Sequence, residues 1–393
     1  MRLVQKTLVG VAALGVAAFL LVLREPAARP ARADDASDMI DKAVKFLVAD
    51  QSPEGAWGPK VPTPKAEIGI TALVVEALHE SGRKEAAAAV ERGVAWLLKQ
   101  QQADGSFTEE RSGLTTYRTA ITVLALCSVD RAKYAEPIDK AKKWLEEAQF
   151  DEGEKVSKDS PHWGGWGYDK TASKPDADLS NAQWAIMALK EAGVTKDDPV
   201  MKRAVEFVTR CQNNTETNKG AAEIKLKPGN DGGFFYGPSR ATAKQTETRG
   251  DDGSVTYSSY ASMTYAGLTS LIYAGLDAKD PRIKAALAWI KEHYTLEENY
   301  GLGIRAKDPK DAQLGLYYYY LTFARSLAAL GEDEIDTKDG KKAWAKDLLA
   351  ALKARQKADG SWVNEADRWM ESIPALVTAY GLESATICEK HRH

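Results

Sequence analysis

One motif occurs three times in this chain, as Gln51-Ser-Pro-Glu-Gly55-Ala-Trp57, Gln101-Gln-Ala-Asp-Gly105-Ser-Phe107 and Gln356-Lys-Ala-Asp-Gly360-Ser-Trp362. Each copy reads Gln-x-x-x-Gly-x-aromatic. A segment with helical apolar spacing precedes each copy, and an almost wholly apolar segment follows it, at 68–78, 119–126 and 374–385. A pair of helices joined by the same short loop and repeated along the chain is typical of a repeat architecture.

Weaker copies fill the stretch between the second and third motifs. They are marked by Trp163-Gly-Gly-Trp166-Gly-Tyr168, by Gly232-Gly-Phe-Phe-Tyr236 and by Gly301-Leu-Gly303. An apolar helical segment follows each marker, at 182–189, 262–272 and 316–330. The sequence therefore contains six units, each an amphipathic helix followed by an apolar one.

The difference between the two helices of a unit predicts the fold. The first helix carries Lys, Glu and Arg on one side, whereas the second is apolar nearly all round and must be covered on every face. An outer ring of first helices around an inner barrel of second helices meets both demands. We therefore predict an all-α fold, an (α/α)6 double-ring toroid of six helix-pair repeats over residues 38–386, followed by a tail at 387–393.

The long insertions lie between the first and second helix of their units, at 151–177, 213–256 and 299–313. Because the helices alternate in direction, all of these loops emerge on one face of the ring. Insertions in repeat arrays commonly collect on the binding face. We expect the mouth of a central cavity on this face.

The N-terminus has the layout of a secretory signal. Arg2 and Lys6 precede an apolar run at 8–23, and a polar stretch ends in Ala31-Arg32-Ala33. We predict that residues 1–33 are a signal peptide cleaved after Ala33, and that the mature protein is exported to the periplasm or outside the cell. Without cleavage, the apolar run would remain as an N-terminal membrane anchor, although it is slightly short of the roughly 20 residues of a span.

Charge and cysteine content argue against several kinds of partner. Removal of the signal peptide takes away five basic residues and one acidic residue, so the formal net charge changes from -3 to -7. An acidic chain without a Lys/Arg cluster does not favour a nucleic-acid partner. The three cysteines and five histidines show no metal-ligand spacing, so we expect neither a metal nor a cofactor. Nothing in the sequence indicates the oligomeric state.

The three Gln-x-x-x-Gly-x-aromatic copies resemble the QW motifs of the terpenoid cyclases, such as squalene-hopene cyclase. That family shares its helix-pair repeats with the protein prenyltransferase β subunits. The resemblance extends over residues 38–386 and implies the same toroid. In the family, the Gln and the aromatic residue tie the end of an outer helix to the start of the next inner one, so the motif has a structural role.

The resemblance also points to two candidate catalytic residues. In the cyclases, a D-x-D-D-T-A motif opens an inner helix and contains the acid that protonates an alkene. This chain reads Pro175-Asp176-Ala177-Asp178-Leu179-Ser180-Asn181-Ala182 there. Asp178 falls at the position of the proton donor and Asp176 matches the first Asp of the motif.

The match is incomplete at Leu179, which replaces the last Asp of the motif. Its loss removes a carboxyl partner of the kind that makes a buried acid strong. A helix N-terminus also favours the ionised form of an Asp. The alternative is that Asp178 or Ser180 simply caps the inner helix, a contact that stabilises a protein by roughly 1 kcal/mol.

Aromatic residues cluster near the expected mouth and could line a pocket for an isoprenoid or another apolar small molecule. Their rings would also stabilise a cationic charge. Of the four consecutive tyrosines 317–320, at most two can face a cavity because a helix points them in different directions. The predicted ligand-binding residues are Trp163, Trp166, Tyr168, Trp184, Phe234, Tyr260, Tyr265 and Tyr317.

Three functions remain open at this stage. The first is a squalene-hopene-cyclase-like protein that binds an isoprenoid and acts as a cyclase or isomerase through Asp178. The second is a noncatalytic exported scaffold or binding protein, which the incomplete aspartate motif favours. The third is a carbohydrate-active lyase or hydrolase, which requires a pair of carboxylates that the sequence does not identify.

Overall fold

The computed structural model describes residues 33–60, 62, 65–109, 113–170, 174–303 and 308–392. These residues form twelve α-helices, in which the odd-numbered member of each pair is the first helix of a unit and the even-numbered member is the second. The helices are α1 (Ala33–Asp50), α2 (Ile68–Glu80), α3 (Ala87–Leu98), α4 (Thr115–Asp130), α5 (Ala135–Glu147), α6 (Leu179–Glu191), α7 (Pro199–Arg210), α8 (Ala261–Tyr273), α9 (Pro281–His293), α10 (Leu316–Leu330), α11 (Trp344–Arg355) and α12 (Pro374–His391).

The six units close into a ring. Each even-numbered helix packs against the next even-numbered one, and α12 packs against α2, so the inner helices form a complete barrel. On the outside, α1 contacts α11 and α12 as well as α2. The predicted double-ring toroid is therefore confirmed.

Burial follows the predicted division between outer and inner helices. In α2, every residue from Ile68 to Leu78 is buried, and α8 is buried in the same way from Ala261 to Leu271. In the outer helix α5, by contrast, burial is confined to Ile138, Ala141, Trp144 and Leu145. The apolar area removed from water by the inner barrel is the main force that holds the ring together.

The glutamine of each motif joins two neighbouring outer helices. Gln51 Nε2 donates to the Gly55 carbonyl of its own loop and to the Ala89 carbonyl near the start of α3, both at 2.9 Å. Four other glutamines make the same two bonds, one to the glycine carbonyl of their own loop and one to a carbonyl near the start of the next outer helix. They are Gln101, Gln149, Gln212 and Gln356, which bond to α5, α7, α9 and α1 respectively. The glutamine therefore links one outer helix to the next outer helix, and not to the following inner helix as the family role implied.

The link to the inner helix comes instead from the aromatic position. The backbone N–H of Trp57 donates to Thr71 Oγ1 in the first turn of α2, and its indole Nε1 donates to the Leu47 carbonyl near the end of α1. Trp362 makes the equivalent bonds to Thr378 and Leu352. One residue therefore holds both helices of its own unit.

The small strands lie in the loops. β1 (Glu247–Arg249) pairs with β2 (Val255–Tyr257) at the end of the insertion 213–256, and β3 (Ile335–Thr337) pairs with β4 (Gly340–Lys342) between α10 and α11, both antiparallel. The predicted signal peptide lies outside the described residues, apart from its last residue, Ala33, at which α1 begins. Across the part of the chain that the structure describes, no helix is long and apolar enough to cross a membrane.

Candidate functional site

A cavity of about 330 Å³ opens at the centre of the ring. Its lining comes from the first turns of all six inner helices and from the loops that precede them, including the insertion 213–256. The cavity therefore lies on the loop face. Its volume is near the lower end of the roughly 300–1,000 Å³ typical of small-molecule sites.

The cavity wall is largely aromatic and aliphatic. It contains six tyrosines, which are Tyr117, Tyr168, Tyr236, Tyr260, Tyr318 and Tyr380, together with aliphatic side chains from α2, α4, α8 and α12. The rings of Tyr117 and Tyr168 are stacked, with centroids 5.8 Å apart. Such a wall favours an apolar ligand.

Four of the six tyrosine hydroxyls are bonded to one another or to buried polar groups. The Tyr117 hydroxyl bonds Ser180 Oγ, which lies 3.2 Å from the Tyr318 hydroxyl, and Tyr318 in turn donates to Gln183 Oε1 over 2.7 Å. The hydroxyls of Tyr168 and Tyr236 are 2.8 Å apart. Burial raises the pKa of Tyr117 and Tyr318 above the ordinary value, so both are neutral phenols.

One ion pair and one buried carboxyl add polarity near the mouth. Arg118 Nε donates to Glu67 Oε1 over 2.7 Å, and Glu67 also accepts from the Ile70 N–H at the start of α2. Glu371 accepts from the N–H groups of Tyr317 and Tyr318 at the start of α10. Burial raises the pKa of Glu371 to about 7.

The loop that carries Glu371 places apolar side chains beside the opening. Trp369 and Met370 are the exposed large hydrophobic residues of the described chain, and both line the cavity. Exposed apolar residues at the rim of a pocket commonly mark a binding surface. They extend the apolar wall out to the solvent.

A buried charge cluster lies below the cavity, inside the inner barrel. Arg325 of α10 binds Glu76 of α2 at 3.0 Å and Glu383 of α12 at 2.6 Å, and its guanidinium lies 4.9 Å from the centre of the Trp184 ring. Glu76 and Glu383 each follow a lining residue, Leu73 or Tyr380, by about one helical turn. Burial raises the pKa of Glu76 to about 8. The neighbouring Glu383 carboxyl acts in the same direction, and Arg325 opposes both.

The candidate acid Asp178 is fully buried and lies behind the cavity wall. Its side chain caps α6 by accepting from the Asn181 N–H at 2.9 Å, and it also accepts from Asn181 Nδ2 at 2.9 Å. Burial raises its pKa to about 6, although these donors oppose the rise. Asp176 is partly exposed and pairs with Arg240 Nε at 2.8 Å. Neither aspartate lines the cavity.

Of the predicted ligand-binding residues, Tyr168 and Tyr260 line the cavity and the other six lie outside its lining. Trp166 donates to the Leu145 carbonyl, as the motif aromatic of its unit, and Phe234 packs against Gly267. Trp184 lies with the charge cluster, whereas Tyr265 packs against Tyr319 and Phe323. Trp163 lies near Arg210, and Tyr317 packs edge-on against Tyr320.

The structure adds cavity residues that sequence reasoning did not select. Within the run 317–320, only Tyr318 reaches the cavity. Tyr117, Ser180 and Tyr380 belong to it because each lies in an early turn of an inner helix. Position within the first two turns of an inner helix was the sequence signal that could have identified them. Among the described residues, no group of three or more His, Cys, Asp or Glu side chains could hold a metal.

Two protein families match the sequence. The squalene-hopene cyclase C-terminal domain matches residues 61–224, and the prenyltransferase alpha-alpha toroid domain matches residues 168–366. The second match spans half of the chain. Together the two cover most of the ring.

Two relatives match over shorter stretches. Drimenyl diphosphate synthase from Streptomyces showdoensis is 32% identical over 124 residues, which are 30% of this chain and 23% of that protein. Squalene–hopene cyclase from Bradyrhizobium diazoefficiens is 30% identical over 154 residues, 37% of this chain and 21% of that protein. The chain thus matches less than a quarter of the length of either relative.

Solved structures show the same architecture at low sequence identity. The type II terpene cyclase MstE from Scytonema superposes with a TM-score of 0.53 at 14% identity, covering 89% of this chain and 97% of that one. An unsaturated glucuronyl hydrolase specific for heparin gives a TM-score of 0.56 at 14% identity, covering 91% and 98%. At these identities the likeness concerns the fold alone. From the closed ring and the family matches, we conclude that the chain belongs to the prenyltransferase alpha-alpha toroid family and has a squalene-hopene-cyclase-like fold.

Proposed function

We propose that this protein binds an isoprenoid or another apolar small molecule in its central cavity. The observation that carries the proposal is the wall of six tyrosines and aliphatic side chains around an open volume of about 330 Å³. Binding of an apolar ligand there removes apolar surface of both the ligand and the cavity wall from water, which is favourable. The small volume favours a short prenyl chain over a molecule as long as squalene.

Two features of related proteins support this ligand class. A variant of the Scytonema cyclase, which has the same fold, was solved in complex with geranylgeranyl dihydroxybenzoate. The names of the two sequence relatives also refer to isoprenoid compounds. In the present chain, stacked rings such as Tyr117 and Tyr168 would stabilise a positive charge on such a ligand.

Calorimetric titration with farnesol and with squalene tests the proposal. We expect farnesol to bind with a defined stoichiometry and squalene to bind more weakly. Leu73→Trp fills the cavity from α2 and should abolish farnesol binding, whereas Leu98→Trp, at the end of α3 and outside the cavity, should leave it unchanged. Equal binding to both variants would place the ligand elsewhere.

A cyclase or isomerase reaction with Asp178 as the acid is the second candidate. Its support is the burial that raises the pKa of Asp178 to about 6, within reach of a protonated carboxyl near neutral pH. However, Asp178 lies behind the cavity wall, and Leu179 replaces the last Asp of the motif. We therefore expect that incubation with squalene gives no product above background by mass spectrometry. A cyclised product that disappears in Asp178→Asn would establish the reaction.

We further propose that the protein acts outside the cytoplasm. The basis is the tripartite pattern of residues 1–33, which is typical of a secretory signal. N-terminal sequencing of the protein recovered from cell fractions should begin at Asp34 in the exported fraction. Recovery of the intact N-terminus in a membrane fraction would indicate an anchor, and recovery in the cytoplasm would contradict export.

A further inference from the structure

The insertion 213–256 supplies part of the cavity wall through one short segment, residues 236–242. Tyr236 and Thr242, at the two ends of this segment, line the cavity, and Arg240 lies between them in the sequence. A tight turn brings Gly237 opposite Arg240. The carbonyl of Tyr236 accepts from the Leu179 N–H at 2.7 Å, so the segment touches the very start of α6.

Arg240 joins this segment to both aspartates of the incomplete motif. Its Nε lies 2.8 Å from Asp176 Oδ1, and its Nη2 lies 3.5 Å from Asp178 Oδ2. The guanidinium carbon also lies 4.9 Å from the centre of the Tyr236 ring. A planar guanidinium can hold two carboxylates and a ring face at once, which an ammonium group cannot do as well.

The groups around Asp178 are hydrogen-bond donors. They are the Asn181 N–H, the Asn181 amide nitrogen and Arg240. A protonated carboxyl needs an acceptor for its own proton, whereas an ionised one is satisfied by donors alone. This arrangement suits a carboxylate that holds its neighbours in place.

We propose that Arg240 is a positioning residue, which clamps the 236–242 segment to the ionised Asp178 and Asp176 and so sets the shape of the cavity wall. In this role Asp178 anchors the wall and does not donate a proton to a ligand. The effect on ligand selection rests on the proposed binding function, but the clamp itself does not. Loss of the clamp frees Tyr236 and Thr242 to move, and the cavity then accepts wider ligands.

Hydrogen exchange and ligand selectivity test the clamp in the full chain. In Arg240→Gln, amide exchange of the peptide that contains residues 236–242 should rise about tenfold, the factor that corresponds to loss of one hydrogen bond to a charged group. The matched control is Arg249→Gln, because Arg249 lies in the same insertion and, among the described residues, forms its ion pair with Glu247 of its own hairpin. The control should leave exchange of that peptide unchanged.

Selectivity provides a readout that a general loss of stability would not change. The ratio of squalene affinity to farnesol affinity should rise in Arg240→Gln and remain at the wild-type value in Arg249→Gln. Arg240→Lys should restore part of both effects, since one ammonium can hold only one of the two aspartates well. If the wild type binds neither probe, the proposed function fails while the exchange experiment still decides the clamp.

Two results would overturn the inference. The first is exchange in Arg240→Gln that equals that of the wild type and the control. The second is a cyclised squalene product in Arg240→Gln that is absent from the wild type, because it would show Asp178 to be an acid that Arg240 restrains.

Discussion

Gln356 Nε2 lies 2.9 Å from the carbonyl oxygen of Met39, although 317 residues separate them in the chain. This bond joins the last repeat to the first outer helix. The same residue also donates to the Gly360 carbonyl in its own loop at 3.0 Å. The contact that links neighbouring repeats elsewhere in the ring is thus also the contact that closes it.

Gln356→Ala should therefore weaken the junction between the two ends of the chain. The variant removes both bonds from the Gln356 side chain, to the carbonyls of Met39 and Gly360, and we expect a loss of about 1–3 kcal/mol in the free energy of unfolding. Urea denaturation followed by circular dichroism measures it. Gln102→Ala is the control, because Gln102 is exposed and its amide nitrogen donates to the nearby carbonyls of Gln100 and Thr108. Equal losses in the two variants would contradict a special role for the closing bond.

Gly360 shows why the fifth position of the motif must lack a side chain. Its φ is +89°, and a Cβ placed on it would lie 2.4 Å from the Lys42 carbonyl oxygen of α1. The corresponding Gly55, Gly105, Gly164 and Gly232 also have a positive φ and face a carbonyl of the next outer helix. The left-handed backbone and the close approach of the helices both demand glycine here.

Two substitutions separate these demands. Gly360→Ala should suffer from both the backbone strain and the clash, whereas Gly340→Ala has a φ of +101° but nothing within 4 Å of the new Cβ. We expect Gly340→Ala to lower the free energy of unfolding by roughly 1–2 kcal/mol, the penalty of a left-handed backbone for a residue with a Cβ. Gly360→Ala should lower the free energy of unfolding substantially more than Gly340→Ala does in the same denaturation assay. A smaller or equal loss would show that α1 moves away from the new Cβ at little energetic cost.

Glu371 should make stability depend on pH in an unusual direction. Burial raises its pKa from the ordinary 4.5 to about 7, so the folded protein holds this proton more tightly than the unfolded chain does. The contribution of Glu371 to stability is then largest below pH 4.5 and is lost as the pH rises towards 7.

A comparison of the wild type with Glu371→Gln isolates this carboxyl, since glutamine does not titrate. We expect the free energy of unfolding of the wild type, relative to the variant, to fall by up to ~3 kcal/mol between pH 4.5 and pH 8. Denaturant titrations at several pH values measure the difference. A difference that grows with pH would mean that Glu371 is a stabilised carboxylate.

The sequence predicted the ring correctly because its evidence is local and repeated. Three motif copies and six apolar segments each indicate the same unit, and an almost wholly apolar helix such as 68–78 has no stable place except inside a barrel. Gln149 and Gln212 make the same bonds as the motif glutamines, but the sequence did not identify them because their spacing to the glycine differs. In the first motif, Gln51 bonds a glycine four residues away, whereas for Gln149 and Gln212 the glycine is 15 and 20 residues away. Insertions hide the spacing but leave the bond intact.

The site was harder to predict, because the direction of a side chain depends on packing and not on sequence position alone. Trp166 and Phe234 lie beside glycines in loops on the mouth side, where ligand-binding residues are expected, yet each takes the aromatic position of the motif and bonds to a helix of its own unit. Tyr318 reaches the cavity while its neighbours Tyr317 and Tyr319 do not. Only the rotation of α10 in the ring selects among them.

By itself, the sequence determined the architecture of this protein: its helix pairs, their number and their order, because the burial of apolar surface follows a period that can be read along one chain. The tertiary structure decided what the cavity is, since its wall combines side chains from six helices and from an insertion. It also decided the environment of Asp178. Arg240 lies 62 residues further along the chain, and only folding brings this cation against the buried carboxyl.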